Sequence, residues 1–221
     1  MKEKIYEIPV NEAFEKDCEC AVCALEQALE ENTVDFLLGP SMMEPDYRIQ
    51  TNQKGFCRRH LRLLFRAQNK LPLALMLDTH VAELAKNLDK KGLFSKKEPP
   101  RPTCAACDKM NFVMDKYLDV IFYLWKTKPG FAETVEGSRG FCMPHYRLLS
   151  QAAARFLSKK DAADFCRRLT AVQKRELLRL REEIHWFTQK FDYKNEDKPW
   201  GTSKDAPIRT VEKLGGYLEQ E

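Results

Sequence analysis

One pattern occurs twice in this chain, and few folds can accommodate it. Cys20 and Cys23 form a Cys-x-x-Cys pair, and after 33 intervening residues Cys57, in Gly55-Phe56-Cys57-Arg58-Arg59-His60, begins a Cys-x-x-His pair. Cys104 and Cys107 repeat the first pair, and after 34 intervening residues Cys142, in Gly140-Phe141-Cys142-Met143-Pro144-His145, begins the repeat of the second. The copies are offset by 84 and 85 residues, too regular for coincidence. Three thiolates and one imidazole make the Cys3His set that Zn²⁺ takes in closed structural sites. The expectation is two zinc ions per chain. Reading each copy as self-contained, Cys20, Cys23, Cys57 and His60 hold one ion, and Cys104, Cys107, Cys142 and His145 hold the other.

Two alternatives compete with zinc. Iron–sulfur clusters are usually held by four thiolates, and the residues after Cys23 and Cys107 match no ferredoxin spacing. Redox-active or disulfide cysteines are the other reading. Eight cysteines would suggest disulfides in a secreted chain. Here the N-terminus lacks a signal-peptide core and no run approaches the roughly 20 apolar residues of a membrane span, so a cytoplasmic, metal-binding protein is expected.

Glycine is scarce, helix-forming residues are abundant, and bounded β-branched runs are nearly absent, which points to an all-α fold. The duplication divides it into a first zinc lobe at 1–90, a linker at 91–103, a second zinc lobe at 104–191 and a tail at 192–221. Residues 1–16 read as an extended lead-in. Helices are expected over 20–38, from 57, over 72–90 with Leu73, Leu77, Val81, Leu84 and Leu88 inward, over 104–125, 142–157 and 159–191. Residues 41–54 and 126–139 read as return loops. Thr103 is a candidate cap for the fourth helix, and Ser158 to Asp161 has a capping-box form at the start of the last. The tail carries Tyr193, Trp200, Ile208, Val211, Leu214 and Tyr217, so it is expected to dock on the body, with a short helix near Arg209.

In this arrangement Cys57 and His60 sit at i and i+3 in the first turn of a helix, as Cys20 and Cys23 do, so a metal would pin helix N-termini whose partial positive charge suits thiolates. Gly55 and Gly140 would turn the backbone into the sites, and Phe56 and Phe141 would shield the sulfurs. Cys18 beside the first site is an exchanging ligand, a spare thiol that responds to oxidation, or incidental. Cys166 reads as an inert core cysteine, and His80 and His185 as packing histidines.

A net charge of +4 is too small to imply nucleic acid. Residues 11–46 hold ten acids against Lys16 alone, while residues 54–70 hold six bases and no acid. These segments are expected to neutralise one another within the chain. No phosphate loop, nucleophile elbow or His-Glu-x-x-His is present, so catalysis has no support.

The doubled motif, with Phe191-Asp192-Tyr193-Lys194 and Lys213-Leu214-Gly215-Gly216, resembles a family of bacterial proteins of about this length known only as a domain of unknown function. The resemblance covers the whole chain and implies metal binding at the eight motif positions, but no activity. Arg58-Arg59 in one copy against Met143-Pro144 in the other leaves room for the sites to differ. The function expected is a non-catalytic scaffold or adaptor whose partner is another protein. Nucleic-acid binding through Arg58, Arg59, Arg62 and Arg66, or a thiol-based redox or zinc sensor, are the alternatives; no membrane is involved, and the oligomeric state is open.

Overall fold

The computed structural model describes residues 4–90 and 104–218. Those residues form ten α-helices and three short 3₁₀ turns, with no strand among them, so the all-α expectation holds. The expected linker and the Thr103 cap lie outside the described residues.

The chain divides into two compact units, Met1–Glu26 with Asp115–Glu221, and Gln27–Met114. These are not the boundaries expected from the repeat. The division falls inside α2 (Ala21–Leu38) and inside α6 (Ala105–Thr127), so each repeat contributes helix to both units.

In the first unit, α1 (Lys4–Glu15) replaces the expected extended lead-in. Pro9 lies inside it, and an interior proline costs about 3 kcal/mol. Val10, Ala13 and Phe14, at helical spacing, are buried. Phe14 meets Phe131 and Phe141 at 5.1 and 6.1 Å between ring centroids. Burying Val10 and Phe14 contributes roughly 1.5–3 kcal/mol each, enough to outweigh the proline. The 126–139 segment is likewise partly helical. There α7 (Phe131–Gly137) starts after Gly130, whose φ of 85° is left-handed, and buries Phe131 and Val135.

The remaining elements of this unit follow the periodicity. In α8 (Met143–Phe156), Leu149, Ala152 and Ala153 face inward. Ser158 caps α9 (Lys159–Gln189) by accepting the Asp161 N–H at 3.2 Å. Phe165 of α9 packs edge-on against Phe122 and Trp125 of α6. The tail docks, as expected: α10 (Ala206–Gly215) buries Ala206 and Lys213, and Trp200 packs on Phe187.

In the second unit, the 41–54 segment contains a helix, α3 (Pro45–Lys54), with proline at its start and Gly55 after its end. It meets α5 (Leu71–Lys90) through polar contacts: Arg48 donates to the Leu75 carbonyl at 3.0 Å, and Thr79 to Asn52 Oδ1 at 2.6 Å. This docking decides which face of α5 is covered. Leu73 and Met76 are buried, but Val81, Leu84 and Leu88, expected inward, are 59%, 49% and 75% exposed. Leu37, Leu64, Leu73, Cys104 and Ala106 make the core of this unit, with Phe56 against it.

Candidate metal centres

Both centres are built at helix N-termini. Cys57 is the N-cap of α4 (Arg58–Arg66), Cys142 is the N-cap of α8, and each is followed three residues later by a histidine on the same side. Cys20 immediately precedes α2, and its sulfur accepts the Cys23 N–H at 3.3 Å. Backbone N–H groups at a helix start favour thiolate over thiol, so the local fold prepares these sulfurs for a cation.

All eight motif residues come together, but not in the expected sets. One cluster is Cys20, Cys23, Cys142 and His145, and the other is Cys57, His60, Cys104 and Cys107. Each Cys-x-x-Cys is completed by the Cys-x-x-His of the other copy. The second pairing is nested inside the first along the chain.

Contacts within and beside the motifs hold the pairs in this arrangement. In the second unit, the Ala105 N–H donates to the Gly55 carbonyl at 3.0 Å and Lys54 pairs with Asp108 at 2.6 Å, which holds the start of α6 beside the Cys57 turn. In the first unit, Glu19, next to Cys20, is gripped by the C-terminal part of the chain. Arg179 binds its carboxylate at 2.7 and 2.8 Å, Arg209 at 3.2 Å and Lys213 at 2.9 Å. The buried Lys213 ammonium also donates to the carbonyls of Glu19 and Arg139, both at 2.5 Å.

The donor geometry fits a tetrahedral ion. With metal–sulfur bonds near 2.3 Å and metal–nitrogen bonds near 2.05 Å, tetrahedral edges are about 3.8 Å between sulfurs and about 3.5 Å between sulfur and nitrogen. In the first cluster His145 Nδ1 lies 3.5, 3.3 and 3.2 Å from the sulfurs of Cys20, Cys23 and Cys142. In the second, His60 Nδ1 lies 3.2, 3.3 and 3.4 Å from those of Cys57, Cys104 and Cys107. The recorded sulfur pairs, Cys23 to Cys142 and Cys57 to Cys107, stand at 3.5 and 3.9 Å.

The donors also polarise one another. Burial works against the His60 imidazolium, yet the Cys104 thiolate and Glu30 outweigh it and push the ring up to about 10. Burial raises the Cys104 thiol, but His60 more than offsets this and brings it down to about 6. His145 is carried to about 12 against burial by Cys142 and Cys20, while hydrogen bonds from Cys20 and Cys23 pull Cys142 far down. Two Cys/His clusters in this protein can thus hold metal ions.

Carboxylates behind the imidazoles complete the arrangement, and sequence reading missed them. His60 Nε2 is 3.3 Å from Glu30, and His145 Nε2 is 3.4 Å from Glu26, so both rings present Nδ1 to the sulfurs and Nε2 to an acid. A carboxylate in this position is placed to orient a metal-binding histidine, although the buried His60 Nε2 makes no hydrogen bond among the described residues. Glu26 and Glu30 are four residues apart on α2, a spacing that was legible but had no meaning without the clusters. Arg59 clasps Glu30 at 2.6 and 2.7 Å, which realises the expected neutralisation of the acidic and basic segments for this pair.

The glycines act as expected, each with a partner the motif did not reveal. Gly55 has a φ of 60° and ψ of −152°, and a Cβ there would stand 2.4 Å from His80 Nε2. His80 is held by the Asn52 carbonyl at 2.7 Å, so it is a packing histidine with a definite task. At Gly140, Gln173 serves instead, accepting from the Phe141 N–H at 3.0 Å and donating to its carbonyl at 2.8 Å. Phe141 is buried, whereas Phe56 is only half-buried. Cys18 and Cys166 belong to neither cluster, and both are half-buried. Cys166 contacts the Ser150 carbonyl at 3.7 Å.

No described helix is long and apolar enough to cross a membrane. Neither a curated protein nor a solved structure matches this chain. The model of a family of unknown function, DUF6062, matches it over residues 1–102 and 97–221, the whole length between them, and the chain belongs to that family.

Proposed function

We propose that this protein is a cytoplasmic, zinc-binding helical scaffold that works by binding another protein and performs no catalysis of its own. The eight motif residues are its zinc ligands, two ions to a chain. The observation that carries the reading is that each cluster offers four protein donors at tetrahedral spacing, which leaves no vertex for a substrate. When bound, zinc supplies charge and cross-linking. Cys20, Cys23, Cys142 and His145 hold one ion, Cys57, His60, Cys104 and Cys107 hold the other, and Glu26 and Glu30 orient the imidazoles. On α5, Val81, Leu84 and Leu88 expose apolar side chains at spacings of three and four residues, which supports a protein partner at that face.

Elemental analysis of protein purified without added metal tests the zinc assignment, with two zinc ions and negligible iron expected. The interaction is tested by recovering the tagged, metal-loaded chain from native lysate beside a Leu84→Glu variant. A stoichiometric partner retained by the wild type and lost by the variant supports the proposal; equal recovery, or none from either, counts against it.

A further inference from the structure

The two clusters differ in access. In the first, Cys20, Cys23, Cys142 and His145 are all buried, and Cys142 is fully covered. In the second, His60 and Cys104 are buried, but Cys57 and Cys107 are each partly open to solvent. The aromatic cover follows the same division: Phe141 is buried and Phe56 is half-exposed. Proximity does not separate the sites, since Cys23 and Cys142 are closer than Cys57 and Cys107. Access does, because a thiolate is oxidised only where the oxidant can reach it.

We propose that Cys57 and Cys107 form an oxidant-responsive pair, a modification site that converts to a disulfide on exposure to peroxide and gives up the ion held by the second cluster. The inference rests on the metal reading above.

The chemistry balances with hydrogen peroxide as oxidant. One of the two thiolates attacks a peroxide oxygen, the O–O bond breaks, hydroxide leaves and a sulfenic acid remains. The other thiolate attacks that sulfur, the S–S bond forms and a second hydroxide leaves. Two sulfurs each lose one electron, the two peroxide oxygens gain them, and two protons from solvent turn both hydroxides into water. The sulfurs start 3.9 Å apart and must close to about 2.05 Å. Cys57 is the α4 N-cap, with extended backbone and its carbonyl accepting the Leu61 N–H at 2.9 Å, and Cys107 lies in the first turn of α6. His60 and Cys104 alone are too few ligands to retain the ion.

Sequence alone directs attention to the other site, where Cys18 lies two residues from Cys20. Cys18 is outside the four-donor set, so its oxidation removes no ligand.

The test uses the full-length, metal-loaded chain, titrated with hydrogen peroxide. Release is followed with a chromophoric chelator, and disulfides are mapped by mass spectrometry at each point. One equivalent of metal is expected to leave at least about fivefold faster than the other, together with a disulfide joining the Cys57 and Cys107 peptides. A Cys18→Ser variant is expected to release it at the same rate. First loss with oxidation at Cys20, Cys23 or Cys142, simultaneous loss of both ions, or dependence on Cys18 overturns this inference and leaves the metal reading standing. A chain that carries no metal as purified overturns the metal reading, and this inference with it.

Discussion

Cys23 Sγ lies 3.5 Å from Cys142 Sγ, although 119 residues separate them and a nearer Cys-x-x-His is available at Cys57. The exchange of partners between two copies of one motif yields an unambiguous double-variant result. Cys23→Ser with Cys142→Ser is expected to leave one metal ion per chain, because both changes fall on one cluster. Cys23→Ser with Cys57→Ser is expected to leave none. Metal content by atomic absorption checks this, and the opposite outcome would restore pairing within each copy.

Gly55 is expected to tolerate no side chain. A φ of 60° with ψ near −150° is available essentially to glycine alone, at a cost of about 1–3 kcal/mol for other residues. The added Cβ would also press on His80, 2.4 Å away. Gly55→Ala should lower the melting temperature and weaken metal retention at the second cluster. Adding His80→Ala should recover the steric part alone, so the double variant should melt between Gly55→Ala and the wild type.

Glu19 closes the C-terminal part of the chain over the approach to Cys20. Its removal leaves the buried Lys213 without a carboxylate, while Arg179 keeps Glu176 and Glu183, and Arg209 keeps Glu183 and Asp205. Breaking a buried pair from one side typically costs about 3–5 kcal/mol. Glu19→Ala is therefore expected to lower the melting temperature by roughly 6–20 °C for a chain of this size.

The same residue sets a pH dependence. Burial tends to raise the Glu19 carboxyl, but hydrogen bonds from Lys213 and Arg179 outweigh it and hold the group below the usual carboxylate range. Its folded value is thus lower than its unfolded one. The stabilisation is present above the ordinary glutamate range, near pH 4.3, and is lost as pH falls through the lowered folded value. Melting curves of wild type and Glu19→Gln should converge across that acid range. A gap that stays constant would show that the carboxylate charge is not what Glu19 contributes.

Chelation should loosen both units. Ligation contributes folding free energy when the donors are not otherwise held together, and each cluster joins segments distant in sequence. Removing metal with a strong chelator is expected to reduce helicity or the melting temperature, followed by circular dichroism, and added zinc should restore it.

The sequence by itself determined the residue types and their local poses. An α-helix places i and i+3 on one side whatever surrounds it, so Cys-x-x-Cys and Cys-x-x-His could be read as ligand pairs at helix starts, and Phe165, Leu169, Val172 and Leu180 as the inner face of α9. The helices that were missed left local signals too: Val10, Ala13 and Phe14 at helical spacing in α1, and Pro45 with Gly55 around α3.

Only the tertiary structure decided which pair meets which. Two copies of one motif offer the same chemistry to either partner, so local spacing cannot distinguish pairing within a copy from pairing across copies. The choice rests on contacts remote in sequence, Ala105 with Gly55, Lys54 with Asp108, and Glu19 with Arg179 and Lys213. The same holds for α5, which buries Leu73 against Leu37 and Leu64 and leaves its apolar stripe uncovered at Val81, Leu84 and Leu88. Periodicity identifies a helix face able to be buried, but burial needs a second surface, and that surface belongs to another part of the chain.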